Sequence, residues 1–323
     1  FDDSYDKNKE NIKKLVQFIA YVCKKHSLLP FNKEGVKEII EYSSKCAGNQ
    51  NKLTAIMQDI SDLIIEASFV ASNSRKKVVS DEEVKKALES KTKRFSKYND
   101  AFHKMIKQGD IIISTDGKKV GQINGLTIAV AGDCSFGQPV RITANTYIGK
   151  SGIVNIEREV AMSGTTHSKG VFILSAYIGE KYAQDIPLSL TASICFEQLY
   201  NPVDGDSASS TELYAILSSL SGVPINQSLA VTGSVNQKGE IQPIGGVTDK
   251  IEGFYQVCKM RGLDGNHGVM IPIQNVMNLN LSDEVVEAVK NEKFHIYAIS
   301  SIDEGIEILT GVPAGKKDKF GHF

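Results

Sequence analysis

The chain has 323 residues, 41% of them hydrophobic, and a formal net charge of −1. That balance reads as a soluble globular protein long enough for two cores, and it excludes bulk attraction to nucleic acid or to an acidic membrane surface. No uninterrupted apolar run reaches the ~20 residues of a membrane-spanning helix, and FDDSYDKNKENIKK at the N-terminus lacks the apolar centre of a secretory signal. The five cysteines are scattered without a C-x-x-C pair, and the six histidines are equally dispersed. A disulfide framework or metal centre is therefore not expected, no cofactor is expected in this chain, and a reducing cytoplasm is the expected location.

Residues 1–98 read as a small all-helical bundle. Asn8–His26 carries Ile12, Leu15, Phe18 and Ile19 at helical spacing. A second helix opens on Asn32 as N-cap, and a third carries Ile56, Ile60, Leu63, Ile64 and Ala67 on one face. The fourth opens on a capping box, Ser80-Asp-Glu-Glu83. Each has a single apolar face, so together they must pack as a bundle.

After the charged, polar segment SKTKRFSKYND (90–100) the texture turns to strands, and 99–323 reads as one mixed α/β domain. Asp116-Gly117, inside IIISTDGKKVGQINGLTIAV, is a hairpin signal. IPLSLTASICF (186–196) sets Leu188, Leu190, Ala192, Ile194 and Phe196 against Ser189, Thr191, Ser193 and Cys195, the alternation of a half-buried strand. Helical periodicity follows at 207–220, 247–260 and 283–290, with strands at 268–273 and 294–299. The tail PAGKKDKFGHF (313–323) has no periodicity and reads as mobile. The fold class is α+β.

Gly149-Lys150-Ser151 imitates the end of a phosphate loop. The motif needs a glycine where Ala144 stands, and YIGKSGIVNI (147–156) reads as strand–turn–strand with no helix beginning at Lys150.

Two segments carry candidate chemistry. NPVDGDSASS (201–210) puts Ser207 in the first turn of a helix, where free amide N–H groups and the positive end of the helix dipole face an incoming carbonyl oxygen. Serine and aspartate are also the favoured N-caps, so Ser207 is a cap or a nucleophile. No G-x-S-x-G elbow is present, and His167, in SGTTHSKG, reads as a solvated turn residue. In GGVTDKIEGFYQVCKMRG (245–262), Val247, Ile251, Phe254 and Cys258 share one helical face, and Lys250 falls on it. A lysine there either snorkels past the helix edge or is held dry, with its pKa lowered and its amine free to act as a base.

DGDSAS (204–209), followed by VTGSVNQKGEIQPIGGVTDKI (231–251), resembles the proteolytic domain of the Lon protease family, in the form of its B-type, archaeal-like branch and bacterial Lon-like relatives. IEREVAMSGTTHSKGVFILSAYIG (156–179) and FHIYAISSIDEGIEILTG (294–311) are similar to family segments flanking that motif. Residues 1–98 resemble the helical lid that ends a Lon-type AAA+ module, so the chain reads as a fragment of a longer polypeptide.

The resemblance implies a serine endopeptidase with a Ser207–Lys250 dyad, the two lying 43 positions apart in the sequence. It implies Thr232 beside the lysine amine, and Asp204 and Asp206 as acidic positions flanking the nucleophile. In the mechanism it implies, Ala208 lends an oxyanion-holding amide and Gly245-Gly246 turns the chain into the lysine helix. Asp204 would hold the site inactive or pair with Thr232. The implied substrates are unfolded or damaged proteins, held as an extended strand inside a homohexameric chamber. ATP and Mg would belong to the upstream ATPase part. The alternative of another class is a catalytically silent peptide-binding or scaffold domain.

Overall fold

The computed structural model describes residues 2–132, 134–183 and 189–316, and divides into two compact units. Leu188 and residues 317–323 of the tail lie outside the described residues.

The first unit comprises residues 1–101 with Val130–Cys134 and Met277–Asn280. Its elements in order are β1 (Ser4–Asp6), α1 (Lys9–Lys25), α2 (Lys33–Cys46), β2 (Lys52–Thr54), α3 (Met57–Asn73) and α4 (Asp81–Phe95). The caps are those read from the sequence. Asn8 accepts from Asn11 N–H, Asn32 accepts from Gly35 N–H, and Ser80 with Glu83 closes a capping box. Leu15, Ile19, Ile39, Ile60, Leu63, Ile64, Val84 and Ala87 meet in one core, as the single apolar face of each helix demands. The all-helical expectation is corrected in one respect: β1 and β2 pair antiparallel, with Tyr5 opposite Leu53.

α5 (Lys97–Gln108) runs through the segment read as a polar connection. Its signal lies further along, where Phe102 and Ile106 stand four apart and pack with Ile113 and Val257.

In the second unit the order continues β3 (Lys118–Lys119), β4 (Gln122–Ala131), β5 (Cys134–Ile148), β6 (Gly152–Asn155), α6 (Ile156–Glu159), α7 (Thr165–Tyr182), β7 (Leu190–Glu197) and α8 (Ser209–Ser221). It goes on through β8 (Ile225–Asn226), β9 (Leu229–Val231), β10 (Ser234–Val235), β11 (Ile241–Gln242) and α9 (Val247–Arg261). Last come β12 (Gly268–Pro272), α10 (Asp283–Lys290), β13 (His295–Ile299) and α11 (Ile302–Thr310). Seven strands form one mixed sheet in the order β13-β12-β9-β4-β5-β7-β6. β9, β12 and β13 run parallel, β5 and β7 antiparallel, and β6 parallel to β7.

The Asp116-Gly117 hairpin does not form as expected. Gly117 takes the left-handed φ of +73° that the dipeptide predicts. Residues 111–115, however, are not a strand, and the residues after the turn, β3, pair with β8. In β7, Leu190, Ala192, Ile194 and Phe196 are buried and Ser193 and Cys195 half-buried, as alternation requires. Thr191 departs from that pattern. It is buried because its hydroxyl accepts from Ser151 N–H.

α7, α8 and α11 share one core with the sheet through Leu174, Tyr214, Ile216, Ile142, Ile194, Met270 and Leu309. α8 is enclosed: every residue from Ser209 to Ile216 is buried. α9 buries Val247, Ile251, Phe254 and Cys258. Each such large apolar side chain stabilises the fold by roughly 1.5–3 kcal/mol relative to exposure.

Candidate active site

Ser207 does not sit in the first turn of a helix. It occupies a turn one residue before Ala208, the N-cap of α8. The turn is formed by Gly205 at φ +88°, a left-handed conformation open to glycine. Ser209 N–H donates to Asp206 O at 3.0 Å, and Gly233 N–H donates to Ser207 O at 2.9 Å. The amides of Ser207 and Ala208 donate to no protein acceptor among the described residues.

The start of α8 is polar and yet buried. Ser210 Oγ donates to Gly233 O at 2.7 Å, Thr211 Oγ1 donates to Val231 O at 3.2 Å, and Val235 N–H donates to Ser209 Oγ at 3.1 Å. Three consecutive side chains thus sew the helix to the 231–235 segment, which carries Thr232. Thr232 N–H is itself held by Met270 O of β12 at 3.1 Å.

Lys250 reaches this seam from α9. The chain enters α9 through Gly246, which takes φ +66° and whose added Cβ would overlap the Ile128 side chain. Gly245 has neither constraint, so the sharp turn expected of both glycines falls on Gly246 alone. Lys250 is 3% exposed. Its Nζ lies 2.9 Å from Ser207 Oγ and 3.1 Å from Thr232 Oγ1. Thr232 Oγ1 in turn donates to Ser207 O at 3.3 Å, which leaves its lone pairs to accept from the amine. Burial pulls the Lys250 pKa down to about 8 against the raising influence of the Asp206 carboxylate. Such an amine is largely neutral in mild alkali and can take a proton from a hydroxyl within hydrogen-bond reach.

Of the eight candidate residues, the structure brings Ser207, Lys250 and Thr232 into mutual contact. Asp206 accepts from Ser234 Oγ at 2.8 Å and faces the amine as a charge. Asp204 is turned elsewhere and does not bond Thr232 in this structure. Its Oδ1 accepts from Gly205 N–H at 2.8 Å and from His167 N–H at 3.4 Å, in the first turn of α7. Those amides hold its carboxyl below the usual range. His167 is not a solvated turn residue either: it lies on α7 at 1% exposure, paired with Glu212. Apolar periodicity at 207–220 does not reveal Ser234 or the polar run Ser209–Glu212. The available signal is four consecutive small or acidic polar residues directly ahead of the apolar stretch LYAIL.

The phosphate-loop imitation, Gly149-Lys150-Ser151, falls in a connection between strands. Lys150 lies in the turn between β5 and β6, and no helix begins there. Among the described residues no group of three or more His, Cys, Asp or Glu could hold a metal ion. Among them, too, no helix is long and apolar enough to cross a membrane.

Residues 30–94 match a family model described as the AAA+ ATPase lid domain of archaeal LonB. Residues 115–311 match one described as the Lon protease (S16) C-terminal proteolytic domain. The chain is 42% identical over 206 residues to the protein named "Putative Lon protease homolog" of Escherichia coli (strain K12), covering 63% of this chain and 35% of that protein. It is 30% identical over 325 residues to the "Archaeal Lon protease" of Pyrococcus abyssi, covering 96% of this chain and 29% of that protein. Against the "Archaeal Lon protease" of Thermococcus kodakarensis it is 31% identical, covering 93% of this chain and 45% of the relative. The chain thus spans less than half the length of these relatives.

Proposed function

The chain belongs to the Lon protease family and carries its proteolytic domain, and from that premise we propose that it hydrolyses peptide bonds with Ser207 as nucleophile and Lys250 as general base. The observation that carries this is the buried amine of Lys250, 2.9 Å from Ser207 Oγ, with its pKa lowered to about 8.

In the neutral amine, one N–H donates to Thr232 Oγ1 and the lone pair accepts the Ser207 proton. Oγ attacks the scissile carbonyl, and the amides of Ser207 and Ala208 donate to the developing oxyanion. The ammonium of Lys250 then protonates the leaving amine, so the C–N bond breaks and an ester to Ser207 remains. A water gives its proton to Lys250 and attacks the ester carbonyl; as the C–Oγ bond breaks and the acid is released, Lys250 returns that proton to Ser207 Oγ. The Asp206 carboxylate counters the depression of the Lys250 pKa and so sets where the base becomes active.

For the whole protein, the family supports degradation of unfolded or damaged proteins inside a homohexameric ring, in the cytoplasm, with no nucleic-acid partner. It also supports coupling to an ATPase module. ATP and Mg are assigned to no residue of this chain, and no step above runs through them. We take 1–98 as the lid-like domain and 99–323 as the proteolytic one.

The test is hydrolysis of casein from neutral to alkaline pH by the parent chain, Ser207→Ala and Lys250→Ala. Loss of activity in both variants, with activity in the parent rising with pH, is the expected result. Activity that survives both substitutions sinks the dyad, and an inert parent at every pH favours the silent-domain alternative.

A further inference from the structure

The loop that carries Ser207 is anchored on its far side by a buried acid–base pair. His167 Nε2 lies 3.1 Å from Glu212 Oε1, and the two side chains are 1% and 0% exposed. Asn155 Nδ2, at the end of β6, donates to the same Oε1 at 3.1 Å. The other ring nitrogen, Nδ1, shares a hydrogen bond with Ser163 Oγ at 2.8 Å, and Ser163 continues to Ser168 Oγ at 2.9 Å. The imidazole packs edge-on against Phe196 of β7, with centroids 5.4 Å apart.

This one residue meets both flanks of the nucleophile. Ahead of Ser207, the backbone N–H of His167 donates to Asp204. The adjoining segment is paired to the same loop, with Val203 N–H on Met162 O at 2.8 Å and Gly164 N–H on Val203 O at 2.7 Å. Behind Ser207, the ring holds Glu212 in the first turn of α8. Ser207 therefore lies between two attachments to a single side chain and its backbone. Ser209, Ser210 and Thr211, in the same turn, hold the helix to the Thr232 segment.

Core stability alone does not explain such a pair. Apolar residues of similar volume are commonly as stabilising as a buried ion pair, or more so. Here Glu212 Oε2 has no partner among the described residues, a further cost of the arrangement. What a charged, hydrogen-bonded pair supplies and an apolar contact does not is direction.

The groups facing the imidazole are the carboxylates of Glu212 on α8, Glu157 on α6 and Asp204 in the loop, with Asn155, Ser163 and Ser168 beside it. Burial works to lower the His167 pKa, and those carboxylates outweigh it and hold it above the ordinary value. Burial likewise raises Glu212. Both directions keep a proton on the pair.

We propose that His167 and Glu212 are positioning residues that fix Ser207 against Lys250. The proposal rests on the reading of Ser207 as the nucleophile.

The test uses His167→Gln, Glu212→Gln and the two combined. Readouts are kcat and KM on a peptide substrate, and the rate at which diisopropyl fluorophosphate labels Ser207 per folded molecule. Folding is followed by circular dichroism. Each single variant is expected to lose about tenfold in kcat and in labelling, the scale of one buried charged hydrogen bond, with KM unchanged. The combined variant is expected to be no slower than the worse single, because both remove one shared interaction. Folded variants that label at the parental rate, or losses that simply multiply, overturn the proposal. If the single variants do not fold, His167→Phe with Glu212→Leu restores an apolar pair, and a parental rate there overturns it equally. Ser207→Ala separates the two claims: a parent chain not labelled at Ser207 removes the nucleophile reading itself, whereas a labelled parent with unaffected variants removes only the positioning role.

Discussion

Gly253 of α9 and Gly137 of β5 meet backbone to backbone, so that a Cβ on Gly253 would overlap the Gly137 carbonyl. A Cβ on Gly137 would likewise strike the backbone of Asp249 and Lys250. The lysine helix is thus seated directly on the sheet one turn from Lys250, and Ser135 Oγ donates to Asp249 beside it. Gly253→Ala gains up to about 1 kcal/mol of helix propensity. Overpacking costs roughly 1–3 kcal/mol, so a net loss of stability is expected. Thermal unfolding and kcat should both fall, and an unchanged melting temperature would contradict the close seating.

The pH dependence of kcat/KM reports the base in the free enzyme. With Lys250 at about 8, the rate should climb roughly tenfold per pH unit below that value and level off above it. Removing the opposing charge with Asp206→Asn lowers the Lys250 pKa further and moves the acid limb to lower pH. A limb that stays in place, or moves up, would show that Asp206 does not face the amine as a charge.

Thr232 both accepts from Lys250 and donates to Ser207 O. Thr232→Val keeps the shape and removes both bonds, leaving a buried amine with one partner fewer. A fall in kcat of about 10–100-fold is expected. Thr232→Ser should restore most of it, which distinguishes the hydroxyl from the methyl in steady-state assays.

Lys250 also links stability to pH. Its pKa is about 8 in the fold and about 10.4 in an unfolded chain. Between these values the unfolded chain binds more protons, so stability rises with pH across that window, by on the order of 3 kcal/mol. Lys250→Met lacks this term. The variant should be more stable than the parent at pH 7, with the advantage shrinking towards pH 10.5, as measured by urea unfolding at both ends. A constant difference between the two proteins would mean the lysine is not held dry.

Much of the fold was legible because local signals agreed with the final packing. Asn8, Asn32 and Ser80 mark helix starts, and α10 runs over Asp283–Lys290, the range its periodicity predicts. The meeting of Ser207 with Lys250 was legible through the family resemblance: on its own, a lysine on the face that also carries Val247, Ile251 and Phe254 is either satisfied, neutral or snorkelling past the helix edge. What stayed hidden depends on contacts remote in sequence. Gly117 adopts its turn, but the partner of β3 is β8, over a hundred residues on. The destination of Asp204 depends on α7, and the burial of His167 on a glutamate 45 residues away. No local propensity encodes a partner at that range.

The buried run Ser209–Glu212 has a consequence for motion. Helix ends ordinarily fray, and their first amides exchange with solvent through small local openings. Here the first turn of α8 is held by side chains as well as backbone, with Ser210 N–H itself on Gly233 O at 3.2 Å. Opening that turn would break the seam to the Thr232 segment and disturb the buried Glu212. The turn that follows Ser207 is therefore tied down more firmly than an ordinary helix start, and slow amide exchange at Ser210 would report it.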